Sequence, residues 1–204
     1  MYHLVHVPHG TLPVMRKQEL LDAVVADLVR SGIGDRSLRE IGAAVGTSHR
    51  MLIHHFGSRE GLLTEVVRTV EADQRQFLEG LDLAPEQALD QMWQRLSDPL
   101  LWPAERLFFE CYARATRGES PFASLLPGLV DDWLDVAVRL RLVWPGDDRT
   151  EQARARAGLA IVRGLLLDLV GTENREGVDD AFREMRALIA AGAPGRDVAG
   201  TRGA

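Results

Sequence analysis

Several things are scarce in this sequence, and each scarcity excludes a class. Cys111 is the only cysteine in 204 residues, so no internal disulfide framework can hold the chain, and a reducing compartment suits it. No run of 18 residues is free of charge, which excludes a spanning helix. The stretch from Met1 to Leu12 has neither a basic start nor a compact apolar run, unlike a secretory signal. Period-two alternation is missing, so strands are not expected. There is no HExxH helix, no GxSxG elbow, no phosphate loop and no conspicuous grouping of carboxylates or of Cys with His. An enzyme is therefore not the expected class, and neither a cofactor nor a metal is expected.

What remains is an ordinary globular composition, with 46% hydrophobic and 26% charged residues. The formal charge of −6 hides an asymmetry. From Arg30 to Arg59 there are five basic residues (Arg30, Arg36, Arg39, Arg50, Arg59) against Asp35 and Glu40, a net +3, and the acidic excess lies beyond. A compact basic module on an acidic body is the footprint of a nucleic-acid reader joined to a regulatory domain.

Residues 1–14, with Pro8, Gly10 and Pro13, read as a flexible leader in which His3, His6 and His9 lack the fixed geometry of a structural metal site. From Arg16 to Arg30, Leu20, Leu21, Val24, Val25 and Leu28 fall on one helical face, and Ser31, Gly32 and Gly34 stop that helix. Ser37 and Glu40 form a Ser-x-x-Glu capping box for a second helix that buries Leu38, Ile41 and Val45, with Ala43 and Ala44 small enough for close helix approach. Gly46 ends it, Thr47 or Ser48 caps a short third helix carrying Leu52 and Phe56 inward, and Ser58 caps a fourth reaching about residue 81. Further helices are expected over Pro85–Leu96, Pro103–Arg117, Pro127–Val143, Asp148–Val170 and Arg175–Ala190, each proline sitting where a first turn tolerates a missing amide. The expected fold class is all-α with about nine helices. A three-helix reader spans 15–61, a helical body spans 62–190, and a disordered glycine-rich tail spans 191–204.

Two short helices about a glycine turn, backed by a third, make a helix-turn-helix, whose second short helix enters the major groove. With Leu52 and Phe56 inward, Thr47, Ser48, His49, Arg50, Ile53 and His54 face DNA. Arg50 suits two parallel bonds to guanine, and Ile53 a thymine methyl. Ser37, Thr47, His55 and Arg59 suit phosphate.

From Leu38 to Leu63 the chain reads LREIGAAVGTSHRMLIHHFGSREGLL. This resembles the DNA-binding signature of the TetR/AcrR transcriptional regulators: an L-R-E-I-A helix, a G-V-S turn, a recognition helix ending in two aromatics and H-F, then G-S-K-E-x-L. The likeness covers about Arg16 to Val70, and RGLLLDLV at Arg163–Val170 is similar to the family's penultimate helix. It implies operator or phosphate contacts at Ser48, Arg50, His54, His55 and Arg59. Two departures stand out: Ile53 and His54 replace the aromatic pair, and Gly42 replaces alanine at about 1 kcal/mol of helix propensity.

The resemblance makes the acidic body an effector-binding and dimerisation domain. Trp93, Phe108, Cys111, Tyr112 and Trp133 supply aromatic and soft walls for a small organic ligand, with Arg163 as a polar group on an apolar segment. Each of them is also an acceptable core residue. Small residues at Ala157, Ala160 and Gly164 facing larger Phe182, Met185 and Ile189 suit a four-helix bundle between two copies. The expected partners are double-stranded operator DNA, a second copy and an unidentified organic effector, in the cytoplasm and away from membranes. The alternatives are a helical protein-interaction module, or an activator without ligand-induced release.

Overall fold

The computed structural model describes residues 16–32, 34–143 and 147–191, without the side chains of 189–191. The expected leader with its three histidines, Trp144 and the tail beyond residue 191 lie outside the described residues. Within them the order is α1 (Lys17–Ser31), α2 (Leu38–Ala44), α3 (His49–Phe56), α4 (Arg59–Glu79), α5 (Pro85–Leu96), α6 (Trp102–Thr116), a 3-10 turn (Phe122–Leu125), α7 (Leu126–Arg139), α8 (Asp148–Thr172) and α9 (Arg175–Ala191). No strand occurs among the described residues. The chain is all-α, as its periodicity predicts.

The helix ends follow from local chemistry. The Glu40 amide donates to Ser37 Oγ at 3.3 Å while the Ser37 amide donates to Glu40 Oε2 at 2.8 Å, so the capping box is reciprocal. Ser48 caps α3 through the Met51 amide, and Ser58 caps α4 through the Gly61 amide. Each satisfies a donor that a helix start leaves unpaired. Gly57 closes α3 at φ 76°, a left-handed conformation that glycine adopts without strain. Helix α7 stops short of the expected Val143. Arg141 turns to φ 56°, and the amides of Arg141 and Leu142 fold back onto the carbonyls of Val138 and Ala137 at 3.0 and 2.9 Å.

One hydrophobic cluster joins the two halves of the chain. It runs from Leu20, Val24 and Leu28 of α1 through Ile41, Leu52 and Leu62 to Phe108 and Cys111 of α6 and Phe122 of the 3-10 turn. The reader therefore shares its core with the body. A second cluster packs the end of α4, α5, α8 and α9 about Leu78, Trp93, Leu169 and Phe182.

The close approach of α2 to α3 is not made by Ala43 and Ala44, which are exposed. It is made by buried Gly42, where an added Cβ would lie 3.0 Å from the Thr47 carbonyl oxygen and 3.2 Å from the His49 amide nitrogen. The glycine that costs helix propensity thus lets the turn fold tightly against α2. Gly61 is more constrained still: a Cβ there would stand 2.1 Å from the Phe56 carbonyl oxygen.

Candidate functional site

The outer face of α3 presents Ser48, His49, Arg50, Ile53 and His54 to solvent, while Leu52 and Phe56 anchor the helix from below. Thr47 is half-buried, its amide bonded to the Gly42 carbonyl at 2.8 Å. His55 is half-buried, its Nε2 closed off without a hydrogen-bond partner and its ring edge-on to His54 at 5.0 Å. Ser37 is exposed, with its hydroxyl committed to Glu40.

Arg59 has a different immediate task from the one its charge suggested. Its Nε donates to the Arg36 carbonyl at 2.9 Å and its Nη2 to the Gly34 carbonyl at 3.2 Å, which clamps the α1–α2 connection. Arg36 in turn pairs at 2.7 Å with buried Asp27 of α1. The start of α4, directly after α3, is therefore held against a connection that is itself tied to α1.

A second constellation lies inside the body. Glu71 and Gln74 of α4, Glu105 of α6, Trp133 of α7 and Arg163 of α8 meet between those four helices. Glu71 Oε2 accepts from Trp133 Nε1 at 2.7 Å and stands 3.8 Å from Arg163 Nη2. Gln74 donates to Glu105 Oε1 at 2.9 Å. The Arg163 guanidinium lies over the rings of Phe108 and Tyr112, 5.2 and 5.5 Å from their centroids, and donates to the Leu129 carbonyl. Arg75 reaches over Trp133 and pairs with Asp132.

Burial sets the protonation here. It pushes the Glu105 carboxyl up to about 8, aided by the charge of Glu71 and opposed by the Gln74 bond, so the acid holds its proton at neutral pH. Burial raises Glu71 as well, against the Trp133 hydrogen bond and the charges of Arg163 and Arg75.

Phe108, Tyr112, Trp133 and Arg163 thus converge as the sequence suggested, but Trp93 and Cys111 do not. The Trp93 indole stacks on Phe182 at 4.5 Å and donates to Asp179 at 2.8 Å, so it ties α5 to α9. Cys111 is fully buried in the first cluster, its thiol pushed up to about 12 by burial, which keeps it protonated and unreactive. A cavity of about 10 Å³ adjoins the constellation, lined by Leu28 and Val29 of α1, Val70 and Glu71 of α4, and Ala104 and Phe108 of α6. That is room for one water, whereas organic ligands occupy pockets of about 300 Å³ or more.

The line of small residues on α8 is solvent-facing: Ala157, Ala160 and Gly164 are exposed beside Ile161 and Leu167, the latter 54% exposed. On α9 the assignment changes. Phe182 is 4% exposed beneath Trp93, Met185 is half-buried against the second cluster, and the Ile189 side chain lies outside the described residues. The 178/182/185 periodicity marks the side of α9 that faces its own core. The outward line is Ala181, Glu184 and Leu188.

The model of the tetR family of bacterial regulatory proteins matches residues 20–66. The HTH-type transcriptional regulatory protein RaaS of Mycobacterium tuberculosis is 32% identical over 183 residues, which span 80% of this chain and 76% of that protein. The chain belongs to the TetR family. Among solved structures, a transcriptional regulator from Rhodococcus sp. Rha1 superposes with a TM-score of 0.65 at 21% identity, covering 88% of this chain and 98% of its own. Thermus thermophilus FadR, a TetR-family repressor solved with lauroyl-CoA, gives 0.61 at 14% identity, covering 92% and 100%. Both show the same fold.

In this TetR-family regulator the residues that sequence reasoning passed over are Glu71, Gln74 and Glu105, together with Asp27 and Arg36 in the reader. A signal existed. Val67, Glu71, Gln74 and Leu78 recur at helical spacing, which puts two polar side chains on the inward stripe of α4. Glu105, Phe108 and Tyr112 repeat that pattern on α6. No helix among the described residues is long and apolar enough to cross a membrane.

Proposed function

We propose that this TetR-family protein is a dimeric repressor that reads operator DNA with α3 and is released by a small organic ligand bound among α4, α6, α7 and α8. The observation that carries the reading is the division of α3: every side chain free for a groove is outside, and both apolar anchors are inside. Arg50 supplies the base contact, Ile53 an apolar one, and Ser48, His49 and His54 the adjoining groove contacts. Ser37, Thr47, His55 and Arg59 lie along the phosphates, with Arg59 acting mainly by clamping the α1–α2 connection. A single eight-residue helix covers little groove. Two copies, paired through the exposed line of Ala157, Ala160 and Gly164, reach successive half-sites about 34 Å apart.

Ligand release has a path in the fold. The small cavity beside Glu71 is bounded by α1 of the reader and by α4 and α6 of the body, so a molecule that enlarges it moves the reader relative to the rest. The ligand acts only through its difference in affinity for the two arrangements. The test is binding to selected operator and random duplexes at two salt concentrations. Arg50→Ala is expected to cost about 1 to 3 kcal/mol on operator and little on random DNA. Arg59→Ala is expected to weaken both and to lower the melting temperature. Equal losses on the two duplexes for Arg50→Ala overturn the base-reading assignment.

A further inference from the structure

Three of the six histidines, His49, His54 and His55, fall within the eight residues of α3, and no other histidine occurs among the described residues. The helix carries no acid, and Arg50 is its one permanent charge. Histidine is the side chain whose charge changes between pH 5 and 8, so the charge this face shows a duplex depends on pH. The three positions differ. His49 opens α3, where the positive end of the helix dipole opposes a cation. His55 is half-buried, with Nε2 closed off and unpartnered. His54 is exposed in the last turn, where the dipole favours a cation, and it follows Arg50 by four residues, one turn along the same line. We propose that His54 is a proton-coupled contact to a phosphate at the groove edge: it binds as imidazolium, so affinity for DNA rises as pH falls from 8 to 6. The proposal rests on the reading of DNA by α3 above and deepens it.

The acids of the neighbouring elements are engaged elsewhere. Helices α2 and α4 pack on α3, and Lys17 of α1 stands over the Phe56 ring. The charged residues of α2 are Arg39 and Glu40, and those opening α4 are Arg59 and Glu60. Glu40 is bonded to the Ser37 hydroxyl and amide, which hold its carboxyl below the usual range, so it stays ionised throughout. Glu60 lends its charge to Arg114 of α6, and Arg59 is spent on backbone carbonyls. The group beside His54 is the His55 ring, 5.0 Å between centroids, and not a carboxylate. A proton on His54 therefore adds a cation one turn from Arg50, and a duplex supplies the missing countercharge. Phosphate diesters are ionised at every pH in this range. Imidazolium donates from both ring nitrogens, and a phosphate at hydrogen-bond distance favours that charged form. The complex thus takes up a proton as it forms. The sign follows: the gain is present at acid pH and is lost as pH rises. Glu105 also changes charge toward pH 8, but it is buried in the body and common to every variant of α3.

The test is fluorescence anisotropy of the full chain on selected operator and random duplexes at pH 6, 7 and 8, at constant ionic strength and at two salt concentrations. Wild type should bind about three- to tenfold more tightly at pH 6 than at pH 8, the range that one proton taken up on binding allows. Both duplexes should show it, because the contact is to phosphate. The salt slope should steepen by up to about 0.9 at pH 6, for one more phosphate neutralised. Calorimetry in buffers of different ionisation enthalpy should register the same proton. His54→Gln should flatten the pH profile, and His54→Arg should flatten it with the steeper salt slope at every pH. His49→Gln and His55→Gln, checked for folding by thermal melts, should keep the wild-type profile. A profile that survives in His54→Gln, or is lost in either of the other two, puts the proton elsewhere and overturns the proposal. A pH dependence confined to operator moves His54 to a base edge and overturns the phosphate contact. Operator binding that is constant from pH 6 to 8 overturns the proposal while leaving the reading of DNA by α3 standing. A folded chain that binds neither duplex at any pH overturns that reading, and the proposal with it.

Discussion

Glu105→Gln should make this protein more stable at pH 8 and leave it unchanged near pH 4.5. The carboxyl is 3% exposed, and burial raises it from an ordinary 4.5 to about 8. Between those values the folded chain binds a proton that the unfolded chain has released, so stability falls as pH rises. The contribution is fully present below 4.5 and is gone above 8. At 1.36 kcal/mol per pH unit, the full window amounts to roughly 4 to 5 kcal/mol, an upper bound because water entry softens burial. A glutamine keeps the acceptor for Gln74 and carries no charge at any pH. The difference in unfolding free energy between variant and wild type, from urea melts at pH 4.5, 6, 7 and 8, should therefore grow steadily to a few kcal/mol. Glu71 adds a slope of the same sign, but it is present in both proteins. The lowered acids at the helix caps, Glu40 and Asp147, act on the acid side and also cancel. Superimposable profiles for the two proteins across this range would refute the buried-acid argument.

Three other substitutions test separate parts of the structure. Gly61→Ala places a methyl 2.1 Å from the Phe56 carbonyl oxygen, so it should cost about 2 kcal/mol and shift the thermal midpoint by several degrees. A melting curve within one degree of wild type would show that the α3–α4 junction relaxes freely. An added Cβ at Gly164 meets nothing within 4 Å among the described residues, so Gly164→Trp starts outward from an exposed position. It should keep the monomer's melting behaviour while abolishing dimers in light scattering, and dimers that survive it place the contact elsewhere. Trp93→Phe keeps most of the stack on Phe182 and removes the Asp179 bond, so about 1 kcal/mol of stability should be lost with DNA affinity unchanged. A marked fall in operator affinity would give α5 a part in the coupling.

The sequence by itself determined the helices and the reader. Caps at Ser37 and Ser58, a cap at Thr47 or Ser48 that the structure assigns to Ser48, the stop at Gly57, and the inward pair Leu52 and Phe56 are local features, decided by hydrogen bonds and spacing within a turn or two. These features show up in any unbroken stretch of residues, and the all-α class followed from them. Local pattern also showed which side of α8 is smooth. It could not show which side of α9 faces the chain's own core, because the 178/182/185 stripe serves a core and an interface equally well. Phe182 is core because Trp93 from α5, nearly ninety residues earlier, stacks on it. Gly42 is a close contact because the Thr47 carbonyl turns toward it, and Gly61 because the Phe56 carbonyl does. The buried acids depended most on tertiary structure. On its own helix each of Glu71, Glu105 and Arg163 is one charge among many, and its protonation is decided by how much water the other three helices exclude. Only the packing of α4, α6, α7 and α8 brought two carboxyls, one guanidinium and the aromatic faces into one space, where low dielectric makes their charges depend on one another.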